Sequence, residues 1–123
     1  MLIAWTLLNS WPPSNDDAIH GVGGLGHLGI QFAARLGFRT VAVNRGRDKE
    51  ALARSLGAHD YIDSSADDPA AALRAMGGAR AIIATVTDAE AMQAVIGGLG
   101  VNGTMLLLGL IGPITVNPLE LLG

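Results

Sequence analysis

Apolar and polar positions along this chain fall into blocks that switch between the length of a strand and the period of a helix. Ala18-Ile19-His20 is a short, weak first strand. After it, Leu25, Leu28, Phe32 and Leu36 recur at helical spacing, while Gly29 and Ala33, four apart, offer a small face for contact with a sheet. Gly37 stops that helix, and Thr40-Val41-Ala42-Val43 makes a second strand ending at Asn44. Asp48 is placed to cap a helix through Leu52, Ala53 and Leu56, which Gly57 closes, and Tyr61-Ile62 makes a third strand. Asp67-Asp68-Pro69 starts a helix that runs to Met76 before Gly77-Gly78. The continuous apolar run of residues 81–86 is expected of a strand buried on both faces of a parallel sheet. Thr87 and Glu90 have the spacing of a capping box for a helix whose buried side is Met92, Val95, Ile96 and Leu99. Gly103 introduces a fifth buried strand, Thr104 to Leu108, ending at Gly109. Ile114-Thr115-Val116 reads as a short extra strand, and Asn117-Pro118 caps a helix just before the chain ends.

Strands alternating with helices through short connections imply right-handed crossovers. The fold class is therefore α/β, a doubly wound parallel sheet with five predicted strands, cut off before a sixth. A bare edge on strand five then invites self-association. Residues 16–123 form this domain, and residues 1–15 match it poorly. That first segment is apolar from Met1 to Leu8 and broken by Asn9-Ser10-Trp11-Pro12-Pro13. Without a basic start, and too short to span a bilayer, it reads as the end of a helix from an upstream region.

Composition narrows the chemistry. At 123 residues, half of them hydrophobic and 15% charged, the chain has enough material for one compact core. A net charge of −3 with no basic run gives no footing for nucleic acid or an acidic membrane surface, and a cytoplasmic location is expected. There is no cysteine, which removes disulfides and thiolate zinc sites. His20, His27 and His59 are spread without ligand spacing, and no Ser-His-Asp or paired-carboxylate arrangement stands out. Asp60, Asp63, Asp67 and Asp68 read as a solvated acidic loop.

The stretch with chemical content is Gly21-Val22-Gly23-Gly24-Leu25-Gly26, between the first strand and the first helix. Gly21 suits a tight turn, Gly23 leaves room for a pyrophosphate beside the main chain, and Gly26 lets the helix pack close to its strand. A helix beginning around Gly24 would turn its free N–H groups toward that diphosphate. Asn44, eighteen positions after Gly26, stands where such a motif places the residue facing the adenosine ribose. The spacing points to a dinucleotide ligand.

These glycines, together with His27-Leu28-Gly29, residues 41–49, Leu56-Gly57-Ala58, Tyr61-Ile62-Asp63, the stretch from Gly97 to Gly109 and Asn117-Pro118-Leu119, resemble the cofactor domain of the zinc-type medium-chain alcohol dehydrogenases. The resemblance runs from about Asp17 to the end and implies a Rossmann-like domain that binds NAD(P). By it, Gly21, Gly23, Gly24, Leu25 and Gly26 would line the diphosphate, and Asn44, Arg45 and Lys49 would sit by the adenosine ribose. Thr85 and Val86 would approach from strand four, and Leu108, Gly109 and Leu110 would present backbone groups to the nicotinamide carboxamide. The family's catalytic zinc and proton relay belong to an N-terminal domain outside this resemblance, so zinc is expected in the parent family and not on this chain.

The resemblance makes the chain a dinucleotide-binding domain of an alcohol dehydrogenase-like oxidoreductase, not catalytic alone. The competing readings are a standalone nucleotide sensor and a gene fragment without function. For the cofactor, neutral Asn44 in place of an acidic residue, with Arg45, Arg47 and Lys49 beside it, implies tolerance of both NAD and NADP with a slight lean to NADP.

Overall fold

The structure, a computed structural model, describes residues 16–20, 24–86, 88–108 and 112–121. The expectations for residues 1–15, for Gly21 and Gly23, for Thr87, and for Gly109 and Leu110 lie outside the described residues. In chain order the elements are β1 (Asp16–His20), α1 (Gly24–Arg35), β2 (Arg39–Asn44), α2 (Glu50–Leu56), β3 (Asp60–Asp63), α3 (Pro69–Ala75), β4 (Ala79–Ala84), α4 (Ala89–Ile96), β5 (Leu99–Leu107) and α5 (Pro118–Leu121). The strands pair in parallel in the order β3-β2-β1-β4-β5.

Alternation along the strands sends side chains to two separate cores. Val41, Val43 and Ile62 join Leu73 of α3 and Met92 and Val95 of α4. Ala42, between the two valines, joins Tyr61, Ile30 and Ala33 of α1 and Ala53 of α2 on the opposite face. Both faces of the sheet are thus covered by helices, which is why β2 and β4 read as near-continuous apolar runs.

Helix α1 meets the sheet through its small face. Gly29, Ile30 and Ala33 are buried, whereas Leu28, Phe32 and Leu36 of the more conspicuous apolar stripe are 54%, 60% and 38% exposed. Small residues let the helix axis approach the sheet, and the large side chains are left on the outer side. Gly57 then closes α2 with φ +118°, and a Cβ there would stand 2.7 Å from the Cβ of Ala34 in α1. Only glycine suits both that conformation and that contact.

Helix starts depart from the sequence reading in two places. Asp48 does not cap α2: the N-cap is Lys49, which makes no side-chain capping bond, because the helix begins two residues beyond Asp48. For α4 the cap is Asp88, whose Oδ1 accepts from the Glu90 N–H at 3.0 Å, and Glu90 lies in the first turn. Asp68 does cap α3, accepting from the Ala70 and Ala71 amides, with Pro69 at the first helical position.

The last strand differs most. β5 begins at Leu99, which therefore belongs to the strand and not to α4. Its register jumps: Ala79 pairs with Leu99 but Ala81 with Thr104, so two steps on β4 face five on β5, and Asn102 takes φ +60° within the excess. The strand is also not buried. Val101 is 74% exposed, and Leu106 and Leu107 are close to half exposed, since among the described residues β5 pairs only with β4. An apolar run alone does not reveal whether a strand has a neighbour on each side. Residues 114–116 add no strand, for the Thr115 amide bonds the Gln93 side chain of α4 at 2.6 Å instead of a sheet edge. Asn117 caps α5 through the Leu119 amide. Among the described residues no helix is long and apolar enough to cross a membrane.

Candidate functional site

In a parallel sheet every strand ends on the same edge. Here the chain moves outward from β1 through β2 to β3, then crosses back to β4 and β5 on the other side of β1. A crevice opens at the carboxyl edge where that order reverses, the general location of ligand sites in such sheets. Helix α1 starts at Gly24, directly beyond the end of β1, so Gly24, Leu25 and Gly26 occupy its first turn, with Gly26 buried.

Beside this turn, the loop after β2 is held from β3. The Gly46 amide donates to Asp63 Oδ1 at 2.7 Å, and the Tyr61 hydroxyl donates to the Gly46 carbonyl at 2.6 Å. Gly46 has φ +80°, a conformation that glycine adopts without strain. The Ser64 amide bonds the Asn44 carbonyl at 2.9 Å, so the ends of β2 and β3 are tied together where Asn44 emerges. Asp63, only 6% exposed, also accepts from the Ser65 hydroxyl at 2.6 Å and the Ser65 amide at 2.9 Å. The Ser65 hydroxyl, first among these donors, holds the Asp63 carboxyl below its ordinary range. Burial raises the Tyr61 phenol above its usual value, and a side-chain hydrogen bond with Asn44 works against that shift.

The acidic stretch that reads as a solvated loop thus separates into distinct roles. Asp60 pairs with Arg39 at 3.0 Å, Asp63 anchors the loop, and Asp68 caps α3. His59 is structural too: its Nδ1 accepts from the Thr40 amide at 3.0 Å and its own amide bonds the Thr40 carbonyl. Among the basic residues, Arg47 is engaged by Glu50 at 2.9 Å, and Glu50 also holds Arg54 at 3.3 Å. Arg45 and Lys49 are exposed, with no ion-pair partner among the described residues.

A cavity of about 290 Å³ lies at this edge. One wall is Asn44 and Arg45 from the end of β2 with Ser64 from the end of β3; the other is Val86 beyond β4 with Asp88, Glu90, Ala91 and Ala94 of α4. Pro69 closes it from α3. The structure therefore brings Asn44 and Arg45 together with the Val86 side of strand four. It does not bring Lys49 or Thr85 to this cavity: Lys49 lies at the start of α2 with its side chain exposed, and Thr85 is half-buried just past β4. Leu108 stands apart, continuing the β4–β5 ladder with its amide on the Ala84 carbonyl at 2.8 Å, so that this amide is already taken.

Asp88 and Glu90 are lining residues that the sequence reading passed over. In the sequence Glu90 reads as part of a helix cap, and Asp88 carries no distinguishing pattern. The available signal was position: residues that follow β4 must surface on the carboxyl edge.

Comparison with known proteins gives this site a context. A sequence profile described as zinc-binding dehydrogenase matches residues 24–122. The alcohol dehydrogenase patD of Penicillium expansum is 48% identical over 112 residues, which is 91% of this chain and 33% of that protein. The crystal structure of benzyl alcohol dehydrogenase from Acinetobacter calcoaceticus superposes with a TM-score of 0.81 at 26% identity, over 94% of this chain and 33% of that one. A mycobacterial structure complexed with NADPH superposes with a TM-score of 0.70 at 29% identity, over 85% of this chain and 34% of that one. The chain spans about a third of the length of these relatives.

Proposed function

The chain belongs to the zinc-binding dehydrogenase family, and from that premise we propose that residues 16–123 are a doubly wound, Rossmann-like domain that binds a nicotinamide dinucleotide. The observation that carries this reading is the opening at the carboxyl edge, where the ends of β2 and β3 face the residues after β4 and the start of α4, on the same edge from which α1 sets out after β1. A volume of about 290 Å³ is at the lower end for ligand sites and suits a nucleoside, not a whole dinucleotide. The adenosine end would occupy it beside Asn44 and Arg45. The diphosphate would lie across the glycine turn of Gly21, Gly23, Gly24, Leu25 and Gly26, whose spacing is that of a dinucleotide fingerprint. The nicotinamide end would then extend toward the close of β5, where Leu108, Gly109 and Leu110 follow one another. Asn44 would bond a ribose hydroxyl without charge, which accommodates both NAD and NADP, and Arg45 gives the lean toward NADP.

When bound, the nicotinamide ring supplies hydride transfer to or from an alcohol or its carbonyl product. The residues of this chain bind and orient that cofactor. The donors for a catalytic zinc do not fit here: the chain has no cysteine, and among the described residues no three His, Asp or Glu side chains converge. The test is calorimetric titration of NAD and NADP into the purified chain and into Gly23→Val. The variant is expected to lose at least about tenfold in affinity by obstructing the pyrophosphate, with unchanged helix content. Equal affinity would contradict the glycine turn as the diphosphate site.

A further inference from the structure

The charges that meet in the cavity differ from those that meet in the sequence. Three basic residues follow Asn44 closely in the chain, yet Arg47 is taken up by Glu50, and Lys49 does not line the opening. Only Arg45 remains on the β2 wall. Facing it from α4 are two carboxylates, Asp88 and Glu90. Asp88 spends one oxygen on the Glu90 amide, whereas no hydrogen bond or ion pair of the Glu90 carboxylate is seen among the described residues.

We propose that Glu90 is a specificity-determining residue, weighing against a phosphate on the 2′ position of the adenosine ribose and so opposing Arg45 across the same opening. This inference rests on the cavity being the adenosine site. A cavity of this volume is about 8 Å across, roughly one Debye length at physiological salt, so any anion inside it feels both walls. A 2′-phosphate carries about −1.5 to −2 charges at neutral pH, where the unmodified ribose carries none. Repulsion by Glu90 therefore bears on NADP and leaves NAD nearly untouched. Its hydrogen-bond-accepting oxygens can also serve the ribose hydroxyl, which a phosphate lacks there. Cofactor choice would then depend on two elements far apart in the chain, the end of β2 and the first turn of α4.

Calorimetry with two fragments of the cofactors tests this, using the whole chain, Glu90→Gln and Arg45→Gln. The probes are adenosine 5′-monophosphate and adenosine 2′,5′-bisphosphate. Glu90→Gln is expected to raise the affinity ratio in favour of the bisphosphate by about 3- to 10-fold, the range for one charge acting across such a gap. Arg45→Gln is expected to lower it. Both shifts should shrink in 1 M salt, where the Debye length is about 3 Å; a merely structural effect of the substitutions would persist. A ratio indifferent to Glu90→Gln, with both probes binding, overturns this inference alone. Failure of adenosine 5′-monophosphate to bind the unsubstituted chain overturns the adenosine site and this inference with it, whereas a bisphosphate that binds only once Glu90 is replaced supports the inference.

Discussion

Asp63 shows how one buried carboxylate can shape the carboxyl edge of a sheet through backbone hydrogen bonds. Its oxygens gather the Gly46 amide and both donors of Ser65, fixing the loop from which Arg45 projects. Because its folded-state pKa lies below the unfolded value of about 3.9, the stabilisation it gives is complete above that value. It is lost as pH falls through the lower folded value. Asp63→Asn is accordingly expected to lower the urea midpoint at neutral pH, and the gap from the unsubstituted chain should close as pH falls below about 4. A gap that stays constant to pH 2 would show that the charge of Asp63 is not what holds the loop. The sequence placed Asp63 in a run of four similar residues, and only the pairing of Asn44 with Asp63 across β2 and β3 separates it from the others.

At the scale of elements, helix ends are the sharpest test of the assignments. Asp68→Ala is expected to cost about 1 kcal/mol, the usual value of a lost N-cap, whereas Asp48→Ala should leave α2 unchanged because that residue caps nothing. Thermal unfolding of the two variants checks the pair, and equal losses would contradict the assignment. The elements that were legible in the sequence had local signals: Asp68-Pro69 at the start of α3, Gly57 at the end of α2, and the apolar run of β4. Those misread depended on distant neighbours. The exposure of β5 follows from having β4 on one side only, and the orientation of α1 follows from how near its small residues bring it to the sheet. The Thr115 amide finds Gln93, twenty-two positions away, which no local pattern announces.

For the whole molecule, parallel topology does the work of assembling the site. Asn44 and Arg45 were legible because they end a strand, and the glycine motif because its spacing is specific. Asp88 and Glu90 were not, since their part in the opening depends on β4 lying two places from β2 in the sheet. The central claim is that the opening between these elements holds the adenosine end of a nicotinamide dinucleotide. Ala94 lines it, yet is exposed, so a larger side chain there fills the opening without disturbing the core. Titration of NAD into Ala94→Phe and into the unsubstituted chain is the most direct measurement. The account predicts saturable binding to the latter and a loss of at least about tenfold in the variant, at unchanged helix content, since the ring would displace a nucleoside from a site of minimal size. Undiminished binding in Ala94→Phe would contradict it.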